Sequence, residues 1–129
     1  MANFIDTNYL IRFYTQDDKN LANVATRFLK SQKDIYITTV VIAETMFILE
    51  KHYKMAKVFL CEGFETTLKQ ENINFESHVP LALKLYKVEN LSFYDSLIVA
   101  ETIENKGKLY TFDKKMQKIF KKYLTSSAT

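Results

Sequence analysis

The amino-acid sequence predicts an α/β fold: a single domain in which a short-stranded parallel sheet is flanked by helices, as in an α/β/α sandwich. Short apolar runs alternate with longer stretches of helical periodicity, which is the pattern of successive strand-helix units. The 129 residues include only two glycines and one proline, so few breakers interrupt the chain. A hydrophobic share of 47% is typical of one globular domain. We place this domain at residues 1–123, followed by a tail at 124–129.

The elements follow from the two periodicities in chain order. Four short apolar runs predict strands at residues 3–5, 34–38, 73–76 and 108–111. Helical spacing of apolar residues predicts helices at 8–14, 18–32, 40–53, 55–70, 79–88, 93–105 and 114–123. In open parallel sheets, ligands bind outside the carboxyl ends of the strands. Asp6 and Asp113 follow the first and last strand candidates, so they are the first residues to consider for chemistry.

The net charge of +3 is unevenly distributed along the chain. Residues 106–129 carry seven lysines and one acid, whereas the preceding residues carry a net negative charge. The lysines are Lys106, Lys108, Lys114, Lys115, Lys118, Lys121 and Lys122. Such a cluster is typical of a surface that contacts a phosphate backbone, and also of an ordinary solvated helix face.

The sequence predicts a cytoplasmic protein that does not contact a membrane. The longest run without a charged residue, 35–43, has nine residues, whereas a spanning helix needs about 20. Asp6 precedes the first basic residue, Arg12, which is unlike the basic start of a signal peptide. The single Cys61 cannot form an internal disulfide, which fits a reducing compartment.

Two acids are predicted to lie on apolar helix faces, where an unpaired carboxylate is costly to bury. The neighbours of Glu44 three and four residues away are all apolar, which predicts that it lies within the core-facing stripe. Asp95 has similar neighbours in Leu91, Ile98 and Val99. However, Ser92 and Asp95 also match the serine-x-x-acid pattern of a capping box, which would explain the pair by helix initiation alone.

Asp6 and Asp113 have a structural interpretation as well, because an aspartate between a strand and a helix can cap the helix. If the four acids met at one edge of a sheet, each pair at 4 Å would repel by about 4 kcal/mol at an effective dielectric of 20. Arg12 and Arg27 are the only arginines, so a bound cation is needed. An all-oxygen ligand set favours Mg²⁺ or Mn²⁺ and supports metal-assisted phosphodiester hydrolysis.

Four segments carry a resemblance to a known family. They are FIDTN (4–8), VIAE (41–44), FYDSLIVA (93–100) and LYTFD (109–113). In order and spacing they resemble the four acidic motifs of the PIN-domain nucleases, and most of all the small VapC-like toxins of type II toxin–antitoxin pairs. The resemblance implies that Asp6, Glu44, Asp95 and Asp113 bind Mg²⁺ or Mn²⁺ and carry catalysis. It further implies that Asn8 and Thr111 orient ligands or water.

The resemblance also implies an activity and partners. The activity is that of an endoribonuclease in which water attacks the phosphorus in line, leaving a 5′-phosphate and a 3′-hydroxyl. The partners are an RNA substrate and a cognate antitoxin. Separately, the apolar residues of 40–68 are interpreted first as core packing and alternatively as a groove for a partner or a face for a second copy of the chain. Lys114, Lys115 and Lys118 follow Asp113 and are candidates for holding the RNA backbone. The family commonly closes with a strand after the last helix, and 124–129 are expected to hold at most a very short one.

Other functions fit the sequence less well or stay open. A haloacid-dehalogenase phosphatase needs a second aspartate where Asn8 stands, and a receiver domain needs one between Asp34 and Asp95, where there is none. His52, His78 and Cys61 form no zinc-binding pattern, so the histidines are interpreted as structural or surface residues. A housekeeping RNA-processing nuclease and a non-catalytic PIN-like module that binds RNA or protein remain alternatives to the toxin.

Overall fold

The structure of the protein, a computed structural model, describes residues 1–127. The chain divides into two compact units, an amino-terminal unit of Met1–Glu76 and a carboxyl-terminal unit that begins at Ser77. The described residues form seven helices and three strands, and all strand pairs are parallel. The predicted α/β class with a short-stranded parallel sheet is therefore confirmed.

The amino-terminal unit contains the whole sheet. Its elements are β1 (Asn3–Phe4), α1 (Thr7–Thr15), α2 (Lys19–Ser31), β2 (Ile35–Tyr36), α3 (Thr39–Lys51), α4 (Lys57–Leu68) and β3 (Ile73–Asn74). The strands lie in the order β1-β2-β3, with Asn3 opposite Ile35 and Ile35 opposite Ile73. Because all three run in the same direction, the residues that follow them lie at one edge of the sheet, its carboxyl edge.

Each strand has only two residues, and asparagine side chains supplement its ladder. The Asn3 amide donates to the Lys33 carbonyl at 2.8 Å. Asn72, just before β3, donates to the carbonyls of Leu29 and Gln32 at 2.8 and 2.7 Å. These bonds run between chain segments 30 or more residues apart. Side-chain amides therefore help to fix a sheet that its short backbone ladder would hold only weakly.

The core of this unit is built from β2 and the inner faces of its helices. Its fully buried apolar side chains include Leu10, Ile35, Ile37, Ile42, Leu49, Cys61 and Phe64. Three helices begin at a side chain that accepts a backbone N–H: Asp6 for α1, Asp18 for α2 and Thr38 for α3. Capping of this kind satisfies amides that have no partner inside the helix.

A polar network centred on Asp17 ties the turn between α1 and α2 to the end of α3. The Asp17 carboxylate accepts hydrogen bonds from Arg12 Nη1, Thr15 Oγ1 and Tyr53 Oη, all at 2.9 Å. The bond from Arg12, followed by those from Thr15 and Tyr53, lowers the pKa of Asp17 from its usual 3.8 to about 2. The charged carboxylate is thus favoured in the folded chain.

We expect Asp17→Asn to lower the melting temperature by a few degrees near neutral pH and by progressively less as the pH falls towards 2. A depressed pKa stabilises the fold above the unfolded value of about 4 and loses this contribution as the pH falls towards 2. Thermal unfolding of both proteins between pH 2 and pH 7 measures this. Asp34→Asn, an exposed aspartate outside the network, is the control. A difference in melting temperature that persists unchanged at pH 2 would contradict the assignment.

The carboxyl-terminal unit is helical. It contains α5 (Val79–Val88), α6 (Phe93–Glu104) and α7 (Lys114–Ser127). Pro80 lies in the first turn of α5, where its missing N–H has no partner to lose. Tyr86 of α5 and Phe93 of α6 are both buried, with ring centroids 5.6 Å apart and nearly perpendicular. Tyr123 of α7 donates to the Glu89 carboxylate at 2.7 Å, which joins α7 to the end of α5.

Two sequence predictions are wrong in this unit. Residues 108–111 do not form a strand: exposed and half-buried side chains alternate there, but the strand ladder is lacking. The last helix also runs four residues beyond its predicted end at 123, so 124–127 are helical. Thr125 donates to the Lys121 carbonyl at 3.0 Å, which lets a hydroxyl residue fit within the helix. The last two residues of the predicted tail, 128–129, lie outside the described residues.

Among residues 1–127, none of the helices combines the length and the apolar character that crossing a membrane requires.

Candidate metal and nucleic-acid site

Asp6 lies two residues beyond β1, at the carboxyl edge of the sheet, and caps α1. Its Oδ1 accepts the Tyr9 amide at 3.3 Å, and the side chain is exposed. The capping interpretation is therefore confirmed, but it occupies only one carboxylate oxygen. Asn8 lies in the first turn of the same helix and is also exposed. Both side chains can therefore reach a ligand in solvent.

Glu44 is brought to the start of α1 by a hydrogen bond. The Thr7 hydroxyl donates to Glu44 Oε1, and Thr7 directly follows Asp6 in the chain. Within the described residues Arg12 pairs with Asp17 and Lys122 with Glu89, and neither Asp6 nor Glu44 forms an ion pair. The amino-terminal unit thus holds two exposed carboxylates, that of Asp6 and that of Glu44, which is bonded to the residue after Asp6. Oxygen donors of this kind suit a hard divalent cation.

The prediction that Glu44 lies in the core-facing stripe of α3 is wrong, because its side chain is exposed. The buried side of α3 consists of Ile42, Ala43, Thr45, Met46 and Leu49. Val40 and Phe47, which suggested a buried environment, are themselves exposed. Apolar residues occur on nearly all sides of α3, so their spacing could not show which side faces inward. As an exposed group, Glu44 is accessible to a ligand in solvent.

A further carboxylate, Glu76, lies at the same edge of the sheet and was missed by the sequence analysis. It follows β3 by two residues, and its Oε1 accepts the Thr39 hydroxyl at 2.7 Å. Thr39 is the first residue of α3, as Thr7 is the first residue of α1. In both helices the hydroxyl of this first threonine donates to a glutamate carboxylate. The sequence does contain a signal for Glu76: it is an acid at the carboxyl end of a strand candidate, as Asp6 is an acid directly after one.

In the carboxyl-terminal unit, Asp95 lies in the first turn of α6 and is half-buried. Ser92 Oγ accepts the Asp95 amide at 3.0 Å, which confirms the serine's part of the predicted capping box. Leu91 and Val99 are buried as expected, but Ile98 is exposed. The surroundings of Asp95 are therefore partly apolar and partly open to solvent.

Asp113 caps α7 and is exposed. Its Oδ1 accepts the amides of Lys115 and Met116 at 2.9 and 3.1 Å, which is a tighter cap than that of Asp6. Thr111, which is half-buried, accepts the Asp113 amide through Oγ1 at 3.0 Å. Thr111 thus positions the backbone of Asp113 directly.

The lysines of α7 form one exposed face, which we call the lysine face. It comprises Lys114, Lys115, Lys118, Lys121 and Lys122, whereas Met116, Ile119, Phe120 and Tyr123 are buried on the other side of the helix. Lys122 pairs with Glu89 at 2.9 Å and lowers the pKa of that carboxyl group. The remaining four lysines of this face project positive charge into solvent.

His78 is buried, which agrees with the structural alternative predicted for the histidines and not with the surface one. A ring nitrogen of His78 and a carboxylate oxygen of Glu101 lie within 4.8 Å of each other in the carboxyl-terminal unit. An imidazole and a carboxylate at this separation can both contact one divalent cation. The spacing of 23 residues along the chain gives no sequence pattern that would have indicated this pair.

Acidic side chains at the carboxyl edge of a parallel sheet define an α/β protein suited to binding a hard cation. The sequence model of the PIN domain family matches residues 4–122, so the chain belongs to that family, and its fold is a nuclease fold. This one match extends across both units and includes all four predicted acids. No curated protein and no solved structure matches the chain.

Proposed function

We propose that this protein is a metal-dependent endoribonuclease in which Asp6, Glu44, Asp95 and Asp113 together hold Mg²⁺ or Mn²⁺. The observation that carries the proposal is the Thr7–Glu44 hydrogen bond, which links an exposed carboxylate to the residue that directly follows Asp6. The PIN family match supports a nuclease activity. The same four acids occur in the order and spacing that the family resemblance requires.

The chemistry follows from what these side chains can do. When bound, a divalent cation would neutralise charge at the phosphate and favour water as the nucleophile. Asp6 is oriented by its bond to the Tyr9 amide, and Glu44 by the Thr7 hydroxyl. In each case one oxygen is engaged by the protein and the other is available for a ligand. Asn8 and Thr111 support this arrangement by orienting ligands or water.

RNA is the substrate in this proposal, and the lysine face is where its backbone binds. Lys114, Lys115 and Lys118 are exposed and lie within five residues of Asp113. Phosphate contacts of this kind position a nucleic acid and make its affinity depend on salt, without reading the base sequence. The lysines should therefore determine affinity more than cleavage chemistry.

The biological role we propose is that of a VapC-like toxin, with a cognate antitoxin as partner and a homodimer as a further assembly. The resemblance of the four acidic segments supports this role over a housekeeping RNA-processing nuclease. Expression without a partner separates the two. A toxin is expected to arrest growth, and Glu44→Gln should relieve the arrest, whereas a housekeeping enzyme should be tolerated.

One observation favours a second function, that of a non-catalytic RNA- or protein-binding module. Asp6 and Asp113 both cap helices, so each has a structural role that needs no chemistry. A module of this kind would bind its partner equally well with or without a divalent cation.

Metal removal separates these two functions. We expect the purified protein to fragment a mixed RNA pool in Mg²⁺ or Mn²⁺ and to leave it intact in EDTA, because the carboxylates cannot activate water on their own. Gel analysis of the pool after each incubation measures this. A folded sample, free of bound partner, that cleaves nothing in either metal and causes no growth arrest would overturn the nuclease proposal.

A further inference from the structure

Two aromatic rings are presented to solvent between α6 and α7. Tyr110 is 86% exposed and Phe112 is fully exposed. Leu109 and Thr111, which alternate with them, are half-buried. This alternation is that of an extended segment with one side turned outward. The two rings are therefore on the outer side of the segment, within the three residues that precede Asp113.

The backbone of this segment is anchored on either side of the second ring. The Gln117 side-chain amide donates to the Thr111 carbonyl, and the Asp113 amide donates to the Thr111 hydroxyl. Asp113 is in turn fixed as the cap of α7. These bonds join the segment to a helix, so the backbone that carries the rings is already ordered. Binding a ligand therefore costs less conformational entropy than it would on a disordered segment.

The rings border a positively charged helix. Tyr110, Phe112, Gln117 and Lys121 line an open depression of about 440 Å³ in this unit. Lys121 also belongs to the lysine face, on the same side of α7 as Lys114 and Lys118. Exposed aromatic rings next to lysines are the combination found where proteins bind single-stranded nucleic acid, with rings stacking on bases and cations contacting phosphates.

We infer that Tyr110 and Phe112 are a stacking platform for unpaired bases of RNA, with the lysine face binding the adjacent phosphates. The inference rests on the proposed function and adds which side chains contact the bases of the RNA. Residues two apart on an extended chain are separated by about 6.6 Å. This is about twice the 3.4 Å rise between stacked nucleotides, so the rings can take two bases or enclose one.

Charge complementarity favours RNA over a protein as the occupant of this surface. The described part of the carboxyl-terminal unit from residue 106 onward has seven lysines and one acid. Duplex RNA is disfavoured, because its bases are already stacked and paired and cannot reach exposed rings. The platform therefore discriminates by strandedness rather than by base identity.

The test measures binding of a labelled 12-nucleotide oligouridylate, and of the corresponding duplex, by fluorescence anisotropy in EDTA at several salt concentrations. We expect Tyr110→Leu and Phe112→Leu each to weaken single-strand binding by about 5- to 100-fold at every salt concentration. Tyr110→Phe and Phe112→Tyr, which keep an aromatic ring, should bind the single strand about as tightly as the wild type does. Phe59→Leu, at a ring that is 75% exposed in the amino-terminal unit, is the matched control and should change nothing.

In the same experiment, lysine variants should change how strongly the affinity depends on salt, whereas ring variants should not. Lys118→Gln and Lys121→Gln should each reduce the slope of log affinity against log salt by about 0.7, because each contact releases a counterion. The ring variants should leave this slope unchanged. A loss of affinity that disappears at low salt would overturn the stacking assignment.

Failure of the inference can be distinguished from failure of the proposed function. If the ring variants bind the oligouridylate as the wild type does while the wild type cleaves RNA in Mg²⁺, only the stacking platform is overturned. If they bind RNA normally but change the sedimenting mass, the rings mediate contact between protein copies instead. A wild-type protein that neither binds nor cleaves RNA would overturn both proposals.

Discussion

Replacing Asp6 with asparagine is expected to reduce metal-dependent RNA cleavage by at least about 100-fold, because loss of even an outer-shell partner of a metal ligand commonly costs 10- to 100-fold. Asparagine is as good a helix cap as aspartate, so the Tyr9 amide keeps its acceptor. The substitution thus removes a charge and a metal ligand while α1 keeps its start. Initial rates on the same RNA pool in Mg²⁺, for wild type and variant, measure the effect.

Asp18→Asn is a matched control for this prediction. Asp18 caps α2 and accepts the Leu21 amide at 3.1 Å, in the same way that Asp6 caps α1. Both variants should melt at nearly the wild-type temperature, and only Asp6→Asn should lose cleavage. If Asp6→Asn cleaved RNA at the wild-type rate, Asp6 would be a helix cap alone and the metal site would have to exclude it.

Replacing Phe64 with alanine is expected to lower the free energy of unfolding by about 3–5 kcal/mol, the usual cost of deleting a buried aromatic ring. Phe64 is completely buried on α4, with its ring centroid 5.0 Å from that of Tyr14 on α1. A domain of this size has a total stability of about 5–15 kcal/mol, so the loss would be a large share of it. Urea titration followed by circular dichroism measures the change.

The same helix supplies the control. Phe59 lies five residues earlier on α4 and is 75% exposed, so Phe59→Ala should change the stability by less than about 0.5 kcal/mol. The pair therefore compares one residue type in one helix at two depths. Equal losses for the two variants would mean that α4 packs on a different face from the one described.

The sequence was a good guide to the helices and to the positions of the first three strands, each of which lies within its predicted range. α5 has the predicted bounds, and five of the other helices begin and end within two residues of prediction, because their apolar spacing is regular. The fourth strand was predicted wrongly. Alternating exposed and half-buried side chains at 108–111 indicate an extended chain, but they do not show whether a neighbouring strand is there to pair with it. Pairing is a property of the fold, which local pattern does not contain.

Among the residues of the candidate site, helix caps were predicted correctly, whereas the burial of Glu44 was predicted wrongly because tertiary packing decides it. The capping roles of Asp6 and Asp113 are encoded by neighbours within three residues, so they could be recognised. The exposure of Glu44 depends on which side of an apolar helix meets the core, and the sequence alone does not decide this. The Thr7–Glu44 bond spans 37 residues and lay beyond any spacing rule.

Strands of two residues have a thermodynamic consequence. Such a sheet contributes few backbone bonds of its own, so the Thr7–Glu44 bond can form only when the surrounding helices and asparagine bonds are in place. Ligand affinity and folding are then linked: whatever binds the assembled edge stabilises the whole unit by RT ln(1 + [L]/Kd), about 2.7 kcal/mol at 100 times Kd. By the same reciprocity, a substitution in the core that populates partly unfolded chains weakens apparent metal binding, although it touches none of the acids.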